Sequence, residues 1–188
     1  MKLQALAAVL AGLTFSPAFA QTYNVEPNHT YPSFEAGHLG ISVWRGKFNK
    51  TSGSITLDRA AKSGTVDIAI DAGSINFGHA KMEEHARGKD FFNVEQHPKI
   101  TYKGKISKWN GDAPAAVEGQ MTLLGETRPL NLAINAFKCI QHPMLKREVC
   151  GADASGSFKR SDYGMKYGLP MHGDEMKLAI QIEAIKAD

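Results

Sequence analysis

The sequence predicts an all-β fold, an eight-stranded antiparallel barrel with one short helix and an apolar central tunnel. Three observations predict it. Segment after segment alternates apolar and polar residues with a period of two, the mark of strands with one wet face. The segments follow one another in hairpin order through short turns, which makes neighbours antiparallel. The positions that fall inward are small on several strands: Ala36, Gly104, Gly119, Ala136, Ala152, Ala154 and Gly156. A packed barrel needs bulk there to reach normal density, so this pattern leaves an apolar void suited to an apolar guest.

The chain opens with a leader. Lys2 supplies a positive n-region, Leu3 to Phe15 an apolar h-region, and Ala18-Phe19-Ala20 a small-x-small cleavage site. This reads as a secretory signal peptide over residues 1–20, too short to span a bilayer, and it places the mature chain, residues 21–188, in the bacterial periplasm as one domain. Tyr23 to Glu26 is a lead-in strand stopped by Pro27-Asn28. Thr30 to Leu57 reads as two long strands joined by an irregular corner, HLGISVWRG, whose Leu39, Ile41, Val43 and Trp44 are unusually apolar for a connection. The corner is expected to line the mouth of the cavity.

The alternation is cleanest at Val66, Ile68 and Ile70. The segment HAKMEEHARGKDFF breaks the rhythm: Met82 with Ala86 and Glu83 with Arg87 are four apart, which suits a helix ended by Gly88. Strands resume with Ile100, Tyr102, Gly104 and Ile106, then Val117, Gly119, Met121 and Leu123. Leu124-Gly125 marks a tight hairpin before Leu130, Leu132, Ile134 and Ala136. Ala152, Ala154, Gly156 and Phe158 share the face of the next strand, and a glycine-rich stretch leads to Leu178, Ile180, Ile182 and Ala184 on the last. A ligand-holding, lipocalin-like tunnel requires this register, since a one-residue slip turns every inward position out.

Composition narrows the function. A net charge of +3 over 188 residues, with both signs interspersed, gives no clustered basic face for nucleic acid. Cys139 and Cys150 are the 2 cysteines, and in an oxidising compartment the default is a disulfide between them rather than free thiols. His142 is the one strong metal ligand near them, and the 7 histidines are otherwise dispersed. His79 and His85 do not stack on one helix face, and there is no nucleophile-elbow motif, so no catalytic residue and no metal site are assigned.

Four stretches together resemble the YceI-like family of periplasmic, lipocalin-like proteins: residues 32–58, 79–102, 119–132 and 155–165. They cover nearly all of the mature chain in order. The chain departs from the family at His85-Ala86-Arg87, where members often carry leucine after the histidine. The resemblance implies a homodimeric protein that holds a polyisoprenoid lipid, a ubiquinone-like quinone or a prenyl phosphate, in its barrel without catalysis and with no required cofactor. Fatty acid or amide binding, and a redox accessory presenting quinone to a membrane electron carrier through transient membrane contact, are the alternatives; a hydrolase is a third. The expected tail-binding residues are Phe34, Leu39, Val43, Trp44, Phe48, Phe91, Phe92, Tyr102, Phe158, Tyr163 and Met165. His38, Arg87 and Arg160 are the headgroup candidates. Each also has a plainer role: Phe34, Phe48 and Phe158 as core, His38 as a partner for corner backbone, and Arg160 as a turn charge beside Asp162.

Overall fold

The computed structural model describes residues 20–188, so the signal peptide expected over residues 1–20 lies, but for Ala20, outside the described residues. β1 (Gln21–Val25), β2 (Tyr31–His38), β3 (Ser42–Phe48), β4 (Thr51–Asp58), β5 (Ser63–Asp71) and the two-residue β6 (Ile75–Asn76) precede the helix α1 (Ala80–Arg87). β7 (Lys99–Asn110), β8 (Ala113–Leu123), β9 (Glu126–Gln141), β10 (Glu148–Lys159) and β11 (His172–Lys186) follow it. Eight of these close an antiparallel barrel in the order β1-β4-β5-β7-β8-β9-β10-β11, and β11 returns to β1 through Tyr23↔Lys186 and Val25↔Ala184. Closure leaves the ring no free edge. Pro27, which has no N–H for the ladder, opens a 3-10 turn over Pro27–His29, after which β2 takes over as the partner of β11. β2, β3 and β6 thereby prolong one wall of the barrel.

This arrangement corrects the expected corner. Residues 42–48 are a strand that pairs with β2 from Ser33↔Lys47 to His38↔Ser42, and only Leu39 to Ile41 form the turn. Phe48 and Gly46 face in, so period two turns Val43 and Arg45 out. Leu39 is 42% exposed, Ile41 81% and Val43 47%, so the hairpin tip covers nothing in the barrel.

A second correction concerns Ala136, which is exposed. Asp153 pairs with Ala136 but Ala154 pairs with Ile134, leaving Asn135 as a bulge. One extra residue reverses the phase of β9 below it, so Leu130, Leu132 and Ile134 point in, then Phe137 and Cys139. The other small positions face in as the alternation predicts, but three of them are not empty, Gly156 among them, where a Cβ would stand 2.9 Å from Leu132 Cδ2. A Cβ on Gly104 would stand 2.6 Å from Val117 Cγ1, and one on Gly119 would stand 2.5 Å from Tyr102 Oη. The Tyr102 ring crosses Gly119 and its hydroxyl donates to Leu130 O at 3.0 Å on the far strand.

The helix closes one end. His79 accepts from Met82 N at its N-terminus, and Glu83 Oε1 accepts from Phe77 N (3.0 Å) and His79 N (3.2 Å), satisfying donors that a helix start leaves free. Ala86 is the buried residue of the helix, and Phe92 N donates to Ala86 O at 2.9 Å as the chain turns back over the barrel. At the opposite end a disulfide joins Cys139 to Cys150, which are register partners on β9 and β10. Beside it Tyr23 Oη donates to Glu148 Oε2 at 2.8 Å, and Arg59 donates to Glu148 Oε1 at 2.5 Å. Burial pushes the Glu148 carboxyl up, but the hydrogen bonds from Arg59 and Tyr23 outweigh it and hold the group below the usual carboxylate range. Glu148 also approaches both cysteine sulfurs, but these are bonded to each other and offer no thiolate to a metal.

Candidate functional site

The inward faces of the barrel strands enclose a cavity of about 190 Å³ that runs between the helix-capped end and the disulfide end. Its wall is aliphatic around the middle, with Ile68, Leu132, Ile134, Leu178 and Ile180. Ala152 and Ala154 leave the space on the β10 side. Aromatic rings gather at the capped end: Phe34 lies 6.0 Å from Phe48 and 5.9 Å from Phe77, and Phe48 lies 5.4 Å from Phe92. Gly46 permits this, because a Cβ there would stand 2.7 Å from both Phe34 and Phe77. For scale, an apolar cavity of about 150 Å³ accepts benzene, so this lumen holds on the order of eight carbons as it stands. A longer chain has to run out through an end or displace rings at the cap.

Of the expected tail residues, Phe34, Phe48, Phe92, Tyr102, Phe158 and Met165 stand on this wall. Leu39 and Val43 stand on the exposed hairpin, for the register reason given above. Trp44 packs edge-on to Phe77 at 6.2 Å and to His38 at 5.4 Å, behind the wall. Phe91 forms an outer cluster with His85 (5.0 Å) and Tyr167 (5.4 Å) that holds α1 against the 164–171 loop. Tyr163 is buried behind Phe158, ring to ring at 5.3 Å. Burial raises its phenol pKa.

The three headgroup candidates do not converge. His38 lies 5.0 Å from His172, where the β2–β3 hairpin meets β11, and Arg87 sits on α1 near Glu83; neither is on the wall. Arg160 is on the wall and 3% exposed, so it is not a solvated turn charge. Its Nε donates to Gly173 O (2.8 Å), Nη1 to Met165 O (3.0 Å) and Nη2 to His172 O (3.3 Å). Burial lowers its pKa, and Asp174 opposes that. Asp174 itself accepts from Ser161 N and Oγ at 2.9 and 2.8 Å; burial pushes its carboxyl up, and these bonds with the Arg160 charge more than reverse that. Arg160 therefore ties the chain on both sides of the 164–171 loop to the barrel rim.

The wall also holds residues outside the expected tail-binding set. Met176, Leu130 and Leu132 were legible from period two, while Thr51 carried no signal, since threonine suits either face of a strand.

Comparison with known proteins places the chain. Residues 23–184 match the YceI-like domain, and the chain belongs to that family. It is 32% identical over 187 residues to a UPF0312 protein of Pseudomonas aeruginosa, covering 98% of this chain and 97% of that one. A UPF0312 protein of Yersinia pseudotuberculosis is 30% identical over 176 residues, covering 92% and 91%. Among solved structures the barrel superposes on BcnA of Burkholderia cenocepacia with a TM-score of 0.69 at 21% identity, covering 85% of this chain and 99% of that one. It superposes on a polyisoprenoid binding domain from Saccharophagus degradans, implicated in plant cell wall breakdown, with a TM-score of 0.64 at 13% identity, covering 88% and 98%. These likenesses are of fold.

Proposed function

We propose that this protein is a periplasmic binding or carrier protein that buries the apolar tail of a polyisoprenoid lipid, an isoprenoid quinone or a prenyl phosphate, without a chemical step. The observation that carries the reading is the tunnel itself: an apolar lumen kept open along the axis of a closed barrel, where ordinary cores fill such space with side chains. Burying a tail there is worth about 0.8 kcal/mol per methylene. Among the described residues the titratable side chains on the wall are Tyr23, Tyr102 and Arg160, and each of the three is engaged by a protein partner rather than free to face a guest. The Saccharophagus degradans domain, which shares the barrel, is a polyisoprenoid binding domain, and the leader at residues 1–20 fits export to the compartment where such a carrier would meet membrane lipid.

The test is incubation of the mature chain with vesicles carrying a prenylquinone, followed by native mass spectrometry of the separated protein. The reading expects one lipid mass per barrel. Protein that stays lipid-free after incubation with quinone and prenyl phosphate vesicles would refute it.

A further inference from the structure

The β2–β3 hairpin tip and the 164–171 loop both leave apolar side chains in water. Leu39, Ile41 and Val43 at the tip are joined there by Met171, 67% exposed, and Tyr167, 49% exposed. Leu39 also holds φ at 54°, a left-handed conformation in which glycine, asparagine or aspartate is the usual choice. Neither the turn nor contact with water favours leucine at that position. The two segments form one surface: Leu39 N donates to Met171 O at 3.0 Å, and His38 and His172 are register partners with ring centroids 5.0 Å apart. Single exposed apolar side chains are ordinary, whereas a group of them gathered in one place marks an interaction site.

The charge on this surface has one sign. Residues 36–48 and 163–173 carry Arg45, Lys47 and Lys166 and no aspartate or glutamate. Arg45 is paired with Glu35 at 2.8 Å, and the Lys47 ammonium stands 4.3 Å over the Tyr31 ring, which leaves its charge in place. Lys166 is exposed, with no carboxylate paired to it among the described residues. The nearest acids on β11 are already engaged or answered: Asp174 is held by Ser161, and Glu175 has Lys159 as its register partner. The helix beside Tyr167 sets Lys81 and Arg87 against Glu83 and Glu84 and adds no net charge.

We infer that this surface docks on a bilayer containing anionic phospholipid, with Leu39, Ile41 and Met171 entering the interfacial layer and Lys47 and Lys166 at headgroup level. Tyr167 and Trp44 flank the tip with rings of the amphipathic kind that suits a membrane–water boundary. A second copy of this chain fits less well. Five exposed side chains on two narrow segments fall short of the roughly 20–30 residues a side that a stable protein interface takes, and two copies meeting here would bring like charges together. The β9–β10 tip at the other end exposes Met144 and Leu145, but its Arg147 is tied to Lys186 O and Asp188, and residues 138–147 include no tryptophan or tyrosine. Docking through the β2–β3 tip sets the capped end against the membrane, because Met165 of the same loop stands on the lumen wall and Tyr167 lies 5.4 Å from Phe91. Entry of a tail at that end rests on the tail-binding reading; the docking does not.

The experiment floats the mature chain with vesicles of equal parts phosphatidylcholine and phosphatidylglycerol, free of isoprenoid lipid, and with vesicles of phosphatidylcholine alone. The parent should bind the mixed vesicles more tightly, and added salt should weaken that binding. The double variant I41S/M171S should bind at least tenfold more weakly, and K166A about fivefold more weakly. M144S, at the opposite end, should bind as the parent does. I41W should keep the binding, and its added emission should be quenched by phospholipid brominated on the acyl chains. A parent chain that floats with neither vesicle, or a loss in M144S in place of I41S/M171S, would overturn the inference. A dimer that I41S/M171S abolishes, without vesicle binding by the parent, would assign the surface to a second copy and overturn it as well. These vesicles carry no isoprenoid, so failure to dock leaves the tail-binding reading standing, and a chain that docks but takes up no prenylquinone or prenyl phosphate overturns that reading alone.

Discussion

Gly119→Ala is the sharpest test of how the barrel interior is built. The new Cβ would stand 2.5 Å from Tyr102 Oη, 2.6 Å from Tyr102 Cζ and 2.7 Å from Lys103 O. The first two contacts can be relieved by swinging the phenol ring; the third is backbone of the paired strand and cannot yield without opening the ladder. Overpacking of this kind costs about 1–3 kcal/mol. Moving Tyr102 also breaks its bond to Leu130 O and leaves a buried hydroxyl unpaired, adding about 1–3 kcal/mol. The middle of the summed range is about 4 kcal/mol, or about 10 °C in Tm for a domain of this size. The displaced ring has only the lumen to enter, so tail binding should weaken in the same variant. Calorimetric unfolding and titration with a prenyl probe read the two effects. A variant that melts within about 2 °C of the parent and binds normally would refute the claim that Tyr102 bridges three strands across Gly119.

Three further outcomes are expected. The Glu148 carboxyl has a lowered folded-state pKa, so its contribution is present above the unfolded glutamate value, about 4.3, and is lost as pH falls through the folded value; E148Q should flatten the acid limb of stability against pH below about 4.3, and an unchanged limb would contradict this. Replacing both Cys139 and Cys150 with serine releases a short loop and should cost about 2–3 kcal/mol in denaturant unfolding, leaving the capped end and its ligand contacts intact by amide exchange. Phe92→Ala should lower stability by about 3–5 kcal/mol yet raise affinity for long prenyl tails, because the ring closes the capped end of a lumen too small for them; a fall in both would make Phe92 wall rather than plug.

Much of this molecule was legible from period two. The strands around Val66 to Ile70, Ile100 to Ile106, Val117 to Leu123 and Leu178 to Ala184 needed only alternation, and the Leu124-Gly125 turn, with φ of 53° and 81°, needed only its glycine. What failed was non-local. The bulge at Asn135 is visible only against its partner strand, so Ala136 was placed on the wrong face. Gly104 and Gly119 looked like empty space because the side chains that fill it, Val117 and Tyr102, come from neighbouring strands. The hairpin tip was expected to line the cavity mouth because an apolar connection is unusual, yet Ile41 stands in the open. Arg160 was singled out as a headgroup cation beside a polar turn, whereas its carbonyl partners at Met165, His172 and Gly173 arrive only after the chain loops back.

The claim that matters most is that a lipid tail lies inside the barrel, and a prenyl probe with a diazirine at its far terminus tests it directly. After irradiation and peptide mapping, the account predicts labelling of inward residues such as Leu132, Ile134, Ala154 and Ile180. Labelling confined to the exposed apolar groups Ile41, Met144 and Met171 would place the lipid on the outer surface and contradict it.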